Sequence, residues 1–582
     1  MFVYLMLKRC VKPEITMLWT RKEADKIIFK GHILDIPNRT VIHGEMHVKN
    51  GIISNIIPLE GIADDAPYYL PGFIDAHVHI ESSMMVPAEF ARIAVEHGTT
   101  GVITDPHEIG NVLGVEGIDF MIRSSKLVKF NFLFGAPSCV PSCGTDIETS
   151  GAILDSEVIE KLMAREDIGY LAEMMNYPGV LNGDEEVMKK IQSALKNGKR
   201  VDGHAPGLTG EERKRYAAAG ISSDHECSDT EEGRECIEAG MMLQIREGSA
   251  AKNFEALIPL LPEYPDNIML CTDDCHPSDL IRGHINLLVR RALLKGYDIW
   301  DILTAACVNP IRHYGLDWGL MRVGDPATFI SISDLSPYFR VRKTYVRGVK
   351  VFSQNSYFKS IESQRKSIES QLSMLNDYPN RFEAQPLTEE DIQLDVQAGD
   401  TVHVIVASDG SLLTGNQEIH VTGNPFLDAQ HNWGEVQKIV VYNRYKEGAK
   451  PVVGLIRGFG LKDGALAATV AHDCHNIVAI GSDDRQLLRA LNRVIRMKGG
   501  EVAIAGEEMV SLPLPVAGLI SPMNGHEIAF RSHELRDVVE RAGCPLHAPF
   551  ITMAFMCLPV IPSLKITDRG LFDSETFHFI EK

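Results

Sequence analysis

Two histidines separated by a single residue, His77 and His79, are the first side chains in this chain whose spacing suggests chemistry. They follow the Pro71-Gly72 turn and a short apolar run. Because side chains alternate between the two faces of a β-strand, both imidazoles project to the same side. Paired imidazoles on a rigid element are what a divalent transition metal requires. Two histidines in an ordinary strand give the same short pattern, so the other ligands must come from elsewhere in the chain.

Other apolar runs in the following 200 or so residues also end in polar residues of the metal-ligand and acid–base types. These residues are Glu173, His204, His225 and the pair Asp273 and Asp274. A single polar break of this kind most often marks a turn or a helix cap. Five apolar runs that all end in such residues favour a metal site over a purely structural role.

The scaffold that positions these residues is predicted to be a TIM-like (β/α)8 barrel. Strand-like runs alternate with helical patterns, which is typical of a parallel α/β fold. Eight such units in about 250 residues have the size of a TIM barrel, where chemistry lies at the carboxyl ends of the strands. An open doubly wound sheet is the alternative, but the nucleotide-binding loops that often accompany it are absent. The predicted strands are Phe73–Ile80, Gly101–Asp105, Phe130–Ala136, Tyr170–Met175, Arg200–His204, Ser222–Glu226, Met242–Arg246 and Ile268–Asp273.

Short segments in which apolar and polar residues alternate occur before and after the barrel sequence, and they predict further domains. Turn signals such as Asn50-Gly51 separate the first of these segments. We predict an N-terminal extension (1–23), a small composite β-sandwich domain (24–70 with 322–352), the barrel (71–321), a helical linker (353–386) and a C-terminal α/β or α+β domain (387–582). Met17 is an alternative start to Met1.

Composition excludes several classes of partner. The chain has 582 residues and a formal net charge of −20, which argues against nucleic acid or an anionic membrane surface. Eleven cysteines without framework spacing predict free thiols and a cytoplasmic location. The N-terminus lacks a signal-peptide pattern, and prolines interrupt the most apolar late stretch, so no membrane span is expected.

The order of the polar residues along the predicted strands resembles the amidohydrolase superfamily. That pattern has His-x-His on strand one, a bridging carboxylate on strand four, one histidine each on strands five and six, and an aspartate on strand eight. Within the superfamily, the local strings are similar to those of the adenine deaminase family over nearly the whole chain from about residue 24. The strings are Pro71-Gly-Phe-Ile-Asp-Ala-His-Val-His-Ile-Glu-Ser-Ser-Met84, Asp105-Pro-His-Glu108, Glu173-Met-Met-Asn-Tyr-Pro-Gly179, Arg246-Glu-Gly-Ser-Ala250, Cys271-Thr-Asp-Asp274, Val470-Ala-His-Asp-Cys-His-Asn476 and Leu512-Pro-Leu-Pro-Val-Ala-Gly518.

The resemblance implies a site for two divalent metals. Many relatives bridge the metals with a carboxylated lysine on strand four, but the segment from Gly169 to Tyr177 has no lysine. Glu173 would therefore take the bridging place. The family implies manganese or iron, while the mixture of imidazole and carboxylate would also admit zinc. The expected ligands are His77, His79, Glu173, His204, His225 and Asp273.

The expected reaction is the hydrolytic deamination of adenine to hypoxanthine and ammonia, as in purine salvage. A metal-bridging hydroxide would attack C6 of the purine, and Asp273 would take the water proton and pass it on. Asp274 competes for this role, because strand alternation lets only one of the two neighbours point inward. Glu173 and His107 complete the predicted catalytic set.

A second group of residues is predicted to contact the purine. Helix capping is the structural alternative for the residues after strand two, and a structural cluster is the alternative for the histidines near residue 472. Cys275 stands where the family is expected to have arginine, which leaves open another amino-substituted N-heterocycle or a cyclic amide as substrate. A non-catalytic purine-binding protein is a further alternative, and a homodimer is expected. The predicted contacts are Glu108, Arg246, Glu247, Ser249, Asp274, His276, His472 and His475.

Overall fold

Eight parallel strands close into a barrel in the first half of the chain. The computed structural model describes residues 26–354, 378–394, 396–424 and 436–580. Each strand pairs in parallel with the next, and Asp273–Asp274 pairs with the first strand at Val78 and His79, so that the sheet closes. This confirms the predicted TIM-like barrel. Its strands are Phe73–His79, Thr99–Thr104, Asn131–Ala136, Tyr170–Met174, Arg200–Gly203, Ser223–Asp224, Met242–Arg246 and Ile268–Cys271 with Asp273–Asp274.

Helices connect successive barrel strands and bury one apolar face each. In Glu185–Lys196, Val187, Ile191 and Ala194 recur at helical spacing and are buried, while Asp184 caps the first turn by accepting from the Val187 amide. The α-helices of this part are Pro87–Ala94, His107–Leu113, Val115–Ser125, Ser156–Met163, Tyr177–Asn182, Glu185–Lys196, Gly210–Ala218, Thr230–Glu238, Phe254–Leu257, Pro277–Arg282, Ile285–Leu294, Ile299–Leu303 and Asn309–Tyr314. Single turns of other helix types lie at Ile80–Ser83, Val95–His97, Ile258–Leu260 and Thr304–Val308.

A seven-stranded sheet combines segments from both sides of the barrel sequence. Phe329–Ile332 pairs antiparallel with Tyr68–Pro71, and the latter strand leads directly into the first barrel strand. An aromatic cluster that includes Phe29 and Phe329, whose ring centroids are 5.0 Å apart, packs one face of the sheet. The strand order is Val349–Ser353, Val341–Val346, Phe329–Ile332, Tyr68–Pro71, Ile27–Asp35, Thr40–Lys49 and Ile52–Pro58.

The C-terminal domain, which we define as residues 401–580, is built on a mixed eight-stranded sheet. Helix Asp484–Met497 packs its buried leucines against this sheet and ends before Lys498, which has a left-handed backbone. Two further helices, Gly525–Arg541 and Pro549–Phe555, and a three-stranded sheet of Leu564–Thr567, Gly570–Asp573 and His578–Phe579 complete the domain. The large sheet has the order Gly415–His420, Thr401–Val406, Val452–Arg457, Gln437–Tyr442, Ile477–Gly481, Gly464–Ala468, Gly500–Ala505 and Glu508–Pro513.

Two predicted segments fall largely outside the described residues. The N-terminal extension (1–23) lies entirely outside them, as does the predicted linker helix between 355 and 377. The described end of that linker, 378–386, contains no helix, and a single helical turn follows at Glu390–Ile392. Among the described helices, none has the length and apolar content that a membrane crossing requires.

Candidate active site and metal centre

The six predicted metal ligands meet at the carboxyl ends of the barrel strands. His77 and His79 end the first strand on one face, as alternation requires, and their Nε2 atoms lie 3.2 Å apart. Nε2 of His79 is 3.0 Å from Oδ1 of Asp273, which follows the last barrel strand. The ring of His77 stacks on that of His225 with centroids 4.1 Å apart. Residues from the two ends of the barrel sequence therefore share one buried cluster.

Glu173, on the fourth barrel strand, contacts all four predicted imidazole ligands. Its carboxylate oxygens lie 2.8 Å from Nδ1 of His204, 3.2 Å from Nε2 of His225, 3.4 Å from Nε2 of His79 and 3.9 Å from Nε2 of His77. Burial alone would raise the pKa of Glu173, but the neighbouring histidines, His204 first, hold that pKa well below its usual range. The side chain is therefore an anion surrounded by nitrogen atoms.

A backbone contact orients His79 for ligation. Its Nδ1 lies 3.0 Å from the backbone carbonyl oxygen of Asp105, an acceptor that requires a proton on Nδ1. This tautomer leaves a lone pair on Nε2, which faces Glu173 and Asp273. The second barrel strand thus supports a ligand on the first.

The composition of the cluster fits divalent cations. Its buried carboxylates require positive charge nearby, and its imidazole and carboxylate donors suit manganese, iron and zinc. Nδ1 of His77 and Nδ1 of His225 are buried and have no hydrogen-bond partner among the described residues. No hydrogen bond at Nδ1 from the described residues orients these two rings. A metal ion bound at their other nitrogen atoms would orient them.

Both Asp273 and Asp274 reach the site, which corrects the expectation that only one of them points inward. Asp273 has a left-handed backbone with φ of 58°, and this interrupts the alternation of side chains along the strand. Asp274 accepts from Oγ of Ser82 at 2.5 Å and offers an oxygen close to His79 and Asp273. A non-glycine residue in this conformation is strained, as is common where function fixes the backbone.

His107 and Glu108 begin the helix that follows the second barrel strand and face the cluster. Nδ1 of His107 is 3.2 Å from both Oδ2 of Asp105 and Oε1 of Glu173. Burial would lower the pKa of His107, yet the adjacent carboxylates, Asp105 first, hold that pKa well above its usual value. This shift favours the cationic form of the His107 ring beside the predicted metal ligands.

The C-terminal domain closes the site from the other side. Nδ1 of His472 is 2.7 Å from Oε1 of Glu108, and Nε2 of His475 hydrogen-bonds the other oxygen of the same carboxylate. The ring of His472 stacks on Phe555 with centroids 4.5 Å apart. Together with the barrel, His472 and Phe555 line a cavity of about 280 Å³. Its polar lining comprises His79, His107, Glu108, Glu173, His204, Glu226, Arg246, Asp273, Asp274, His472 and Asp473.

Four predicted substrate contacts do not line this cavity. Glu247 pairs with Arg291 at 2.7 Å, and Ser249 donates to Asp279 at 2.6 Å. His276 precedes a short helix and lies 3.2 Å from Oγ of Ser532. These three residues border neighbouring cavities, and His475 lies behind Glu108.

Glu226 lines the cavity although the sequence reasoning did not select it. Its Oε1 is 3.4 Å from Nε2 of His225 and 3.6 Å from Nδ1 of His204. Arg246 binds the two carboxylate oxygens of Glu226 through its two terminal guanidinium nitrogens. One of these nitrogens, Nη1, also lies 2.8 Å from Oδ2 of Asp273. Burial would raise the pKa of Glu226, but Arg246 and the histidines lower it strongly. The available signal was its position directly after His225 at the end of the sixth strand.

Asp105 was also missed, whereas Asp473 was considered only as part of the cluster with His472 and His475. Asp105 ends the second barrel strand, as the predicted ligands end theirs, and its side chain contacts His107. Asp473 lies between two predicted histidines in the sequence and borders the cavity. Burial raises the pKa of Asp473 to about 6. Both positions stand inside the strings that carry the family resemblance.

Comparisons with known proteins identify the family of this chain. The amidohydrolase family model matches residues 68–351, and the model of the adenine deaminase C-terminal domain matches residues 412–578. The chain is 48% identical over 553 residues to an adenine deaminase of Salinibacter ruber, covering 95% of this chain and 98% of that protein. An adenine deaminase of Methanosarcina mazei is 45% identical over 570 residues, covering 95% and 99%. One of Borreliella burgdorferi is 42% identical over 565 residues, covering 96% and 100%. Since these likenesses extend over nearly the full length of each protein, the chain belongs to the adenine deaminase family of the amidohydrolases.

Proposed function

We propose that this protein catalyses the hydrolytic deamination of adenine to hypoxanthine and ammonia, with two divalent metal ions per chain. The observation that carries the proposal is the convergence of six imidazole and carboxylate side chains in one buried cluster, four of which line the same cavity, in a member of this family. A binding protein would not need such a set of buried titratable groups.

The metal ions would be held by His77, His79, Glu173, His204, His225 and Asp273. The central position of Glu173 among the imidazoles supports its assignment as the bridging ligand. Family resemblance favours manganese or iron, and the donor types also admit zinc. When bound, such ions would lower the pKa of the water that attacks the purine.

The attack forms a bond from the water oxygen to C6, and the bond from C6 to the exocyclic nitrogen then breaks. The proton that the water gives up must be held and then delivered. Asp273 is assigned this role, because its Oδ2 is fixed by Arg246 at 2.8 Å while its Oδ1 faces His79 at 3.0 Å. Asp274, in the same cavity, can take over this proton and pass it to N1 of the purine, which carries a proton in hypoxanthine.

The departing nitrogen needs a proton donor, and His107 is assigned this role. It lines the cavity, carries a proton, and is oriented by Asp105 at 3.2 Å. Protonation converts the amino group into ammonia as it leaves, and the second proton of the water, released as the C6 carbonyl of hypoxanthine forms, restores the proton on His107. Glu108, 3.6 Å from Nε2 of His107, is placed to hold that ring from its other side.

Substrate contacts are assigned to Glu108, Asp274 and His472, which border the cavity with both donors and acceptors. Phe555 adds an aromatic face on which a planar base can pack. Arg246 is assigned the role of pairing with Glu226 and Asp273, and it is not assigned as a contact of the purine.

We also propose a cytoplasmic homodimer. All ten cysteines of the described part of the chain are free thiols, which fits a reducing compartment. The dimer follows from the family resemblance, and sedimentation velocity of the purified protein tests it.

The deciding experiment supplies adenine to the purified protein loaded with manganese or iron and follows hypoxanthine and ammonia. We expect equal amounts of both products. Absence of turnover by a protein that contains both metal ions would overturn the proposed reaction.

A further inference from the structure

Beside His472 and Asp473, the wall that the C-terminal domain adds to the cavity is apolar. We define the apolar roof as Leu412, Leu413, Phe555, Leu558, Val560, Ile561 and Pro562, all of which line the cavity. These residues come from two segments that are about 140 residues apart in the sequence. Leu413 is 60% exposed, so little packing from outside holds its side chain in place. The first segment must therefore be held largely through its backbone, whereas Phe555 and Leu558 of the second segment are buried.

Lys565 joins the two segments of the apolar roof. Its Nζ donates to the backbone carbonyl oxygen of Leu412 at 3.0 Å and to that of Phe555 at 3.0 Å. The side chain has no exposed surface, and it lies on the strand Leu564–Thr567 directly behind the second segment. One ammonium group thus fixes two residues that contact the proposed substrate cavity.

The energetic cost of this arrangement argues for a role beyond filling space. Among the described residues no carboxylate pairs with Lys565, and burial lowers its pKa to about 7. Burying a cation without a counter-ion is expensive, and an apolar side chain of similar volume would be the cheaper core residue. The two carbonyl acceptors are the compensation that this position offers. Its neutral form still carries two N–H groups, so both hydrogen bonds persist on either side of the pKa.

Thr414 adds a second connection between the same segments. Its Oγ1 donates to the carbonyl oxygen of Leu564 at 2.8 Å and accepts from the amide of Ser563 at 3.0 Å. Its own amide donates to the carbonyl oxygen of Pro562 at 3.0 Å. Thr414 therefore connects the first segment of the roof to residues 562–564, where the second segment leads into the strand that carries Lys565.

We propose that Lys565 is a positioning residue that fixes the apolar roof over the cavity and thereby sets the affinity for the purine. The proposal deepens the proposed function and rests on it. Lys565 contacts neither the cavity nor any proposed metal ligand, so it acts through Leu412 and Phe555 alone.

The test compares Lys565→Met with the wild type in metal-loaded protein. We expect KM for adenine to rise about tenfold while kcat stays within about threefold, because only binding contacts are lost. Metal content should be unchanged. Lys438→Met is the control, since Lys438 is also a buried lysine that donates to a backbone carbonyl, that of Ile392 at 3.0 Å, away from the cavity, although it also pairs with Asp484 at 2.7 Å. An unchanged KM in Lys565→Met, or an equal rise in Lys438→Met, overturns the proposal.

Hydrogen exchange of the protein tests the proposal without catalysis. Peptides that cover 412–414 and 555–562 should exchange faster in Lys565→Met than in the wild type and in Lys438→Met. Equal exchange of these peptides in Lys565→Met and in the wild type overturns the role of Lys565. If the exchange differs as expected but the wild type does not deaminate adenine, only the proposed reaction is overturned. If Lys565→Met does not fold, Thr414→Val serves instead. A folded Thr414→Val with wild-type KM and exchange rates overturns the role of this strand in holding the roof.

Discussion

The carboxylate of Glu108 and the imidazole of His472 lie 2.7 Å apart and belong to different domains. Glu108 begins the helix after the second barrel strand, whereas His472 follows a strand of the C-terminal sheet. Burial would lower the pKa of His472, yet Glu108 raises it to about 9, so the pair is ionic at neutral pH. The barrel alone therefore supplies only part of the cavity, and this contact attaches the remaining wall.

Glu108→Gln should weaken purine binding while sparing the metal centre. Loss of the negative charge leaves His472 without its ionic partner and removes the acceptor that orients it, so we expect kcat/KM for adenine to fall about 10- to 100-fold. Glu45→Gln is the control, because Glu45 also contacts a histidine, His47 at 3.3 Å, but in the small sheet. Steady-state kinetics with metal analysis check the prediction, and equal effects of the two substitutions would contradict it.

Glu173→Gln should remove activity and metal together. The amide keeps the shape of the side chain but loses the charge that four imidazoles surround, so metal affinity should fall by at least about 100-fold. Glu148→Gln is the matched control, since Glu148 is equally buried but binds Ser142 at 2.7 Å and the Cys143 amide at 3.1 Å. Metal content after gel filtration and kcat are measured. Full metal content in an active Glu173→Gln would remove this residue from the metal centre.

His107→Asn should separate proton delivery from metal binding. His107 contacts Glu173 but is assigned to the leaving nitrogen, so the variant should keep its metal while kcat falls about 100- to 10,000-fold. KM should change little because the cavity wall is retained. A substrate with a better leaving group than ammonia at C6, such as 6-chloropurine, should be hydrolysed with a smaller loss. An equal loss on both substrates would contradict the assignment.

Much of the candidate metal centre could be predicted from the sequence because its residues obey strand geometry. His77 and His79 project together by alternation, and His204 and His225 end their strands in the same way. The rule failed at Asp273 and Asp274, where the left-handed backbone of Asp273 turns both side chains into the site. No residue-level pattern signals such a conformation, because only the closed barrel imposes it.

The cavity wall could not be predicted to the same extent. Leu412 and Phe555 have no chemical signature, and their approach to the barrel depends on the tertiary contacts of two distant segments. Glu226 directly follows His225, and the family pattern has only a histidine at the end of the sixth strand. Residues that act through shape or through a second partner are set by packing, which short motifs do not encode.

Glu501 offers a pH-dependent test of the interior beside the site. It is 2% exposed and borders a cavity of about 40 Å³ together with Asp274 and His472. Among the described residues its carboxyl group has no hydrogen-bond partner, and burial raises its pKa to about 8. The folded protein therefore keeps this carboxyl protonated at pH values where the unfolded chain ionises it.

The Glu501→Gln variant should become progressively more stable than the wild type as the pH rises from about 5 to about 8. In this window the folded wild type binds more protons at Glu501 than the unfolded chain, so its stability falls with pH by up to about 1.4 kcal/mol per pH unit. Glutamine resembles the protonated carboxyl and does not titrate. Below about pH 4 the two proteins should differ little, since the carboxyl is protonated in both states. Thermal unfolding midpoints of both metal-loaded proteins across this range measure the difference, and a constant gap from pH 5 to 8 would show that Glu501 is ionised in the folded protein.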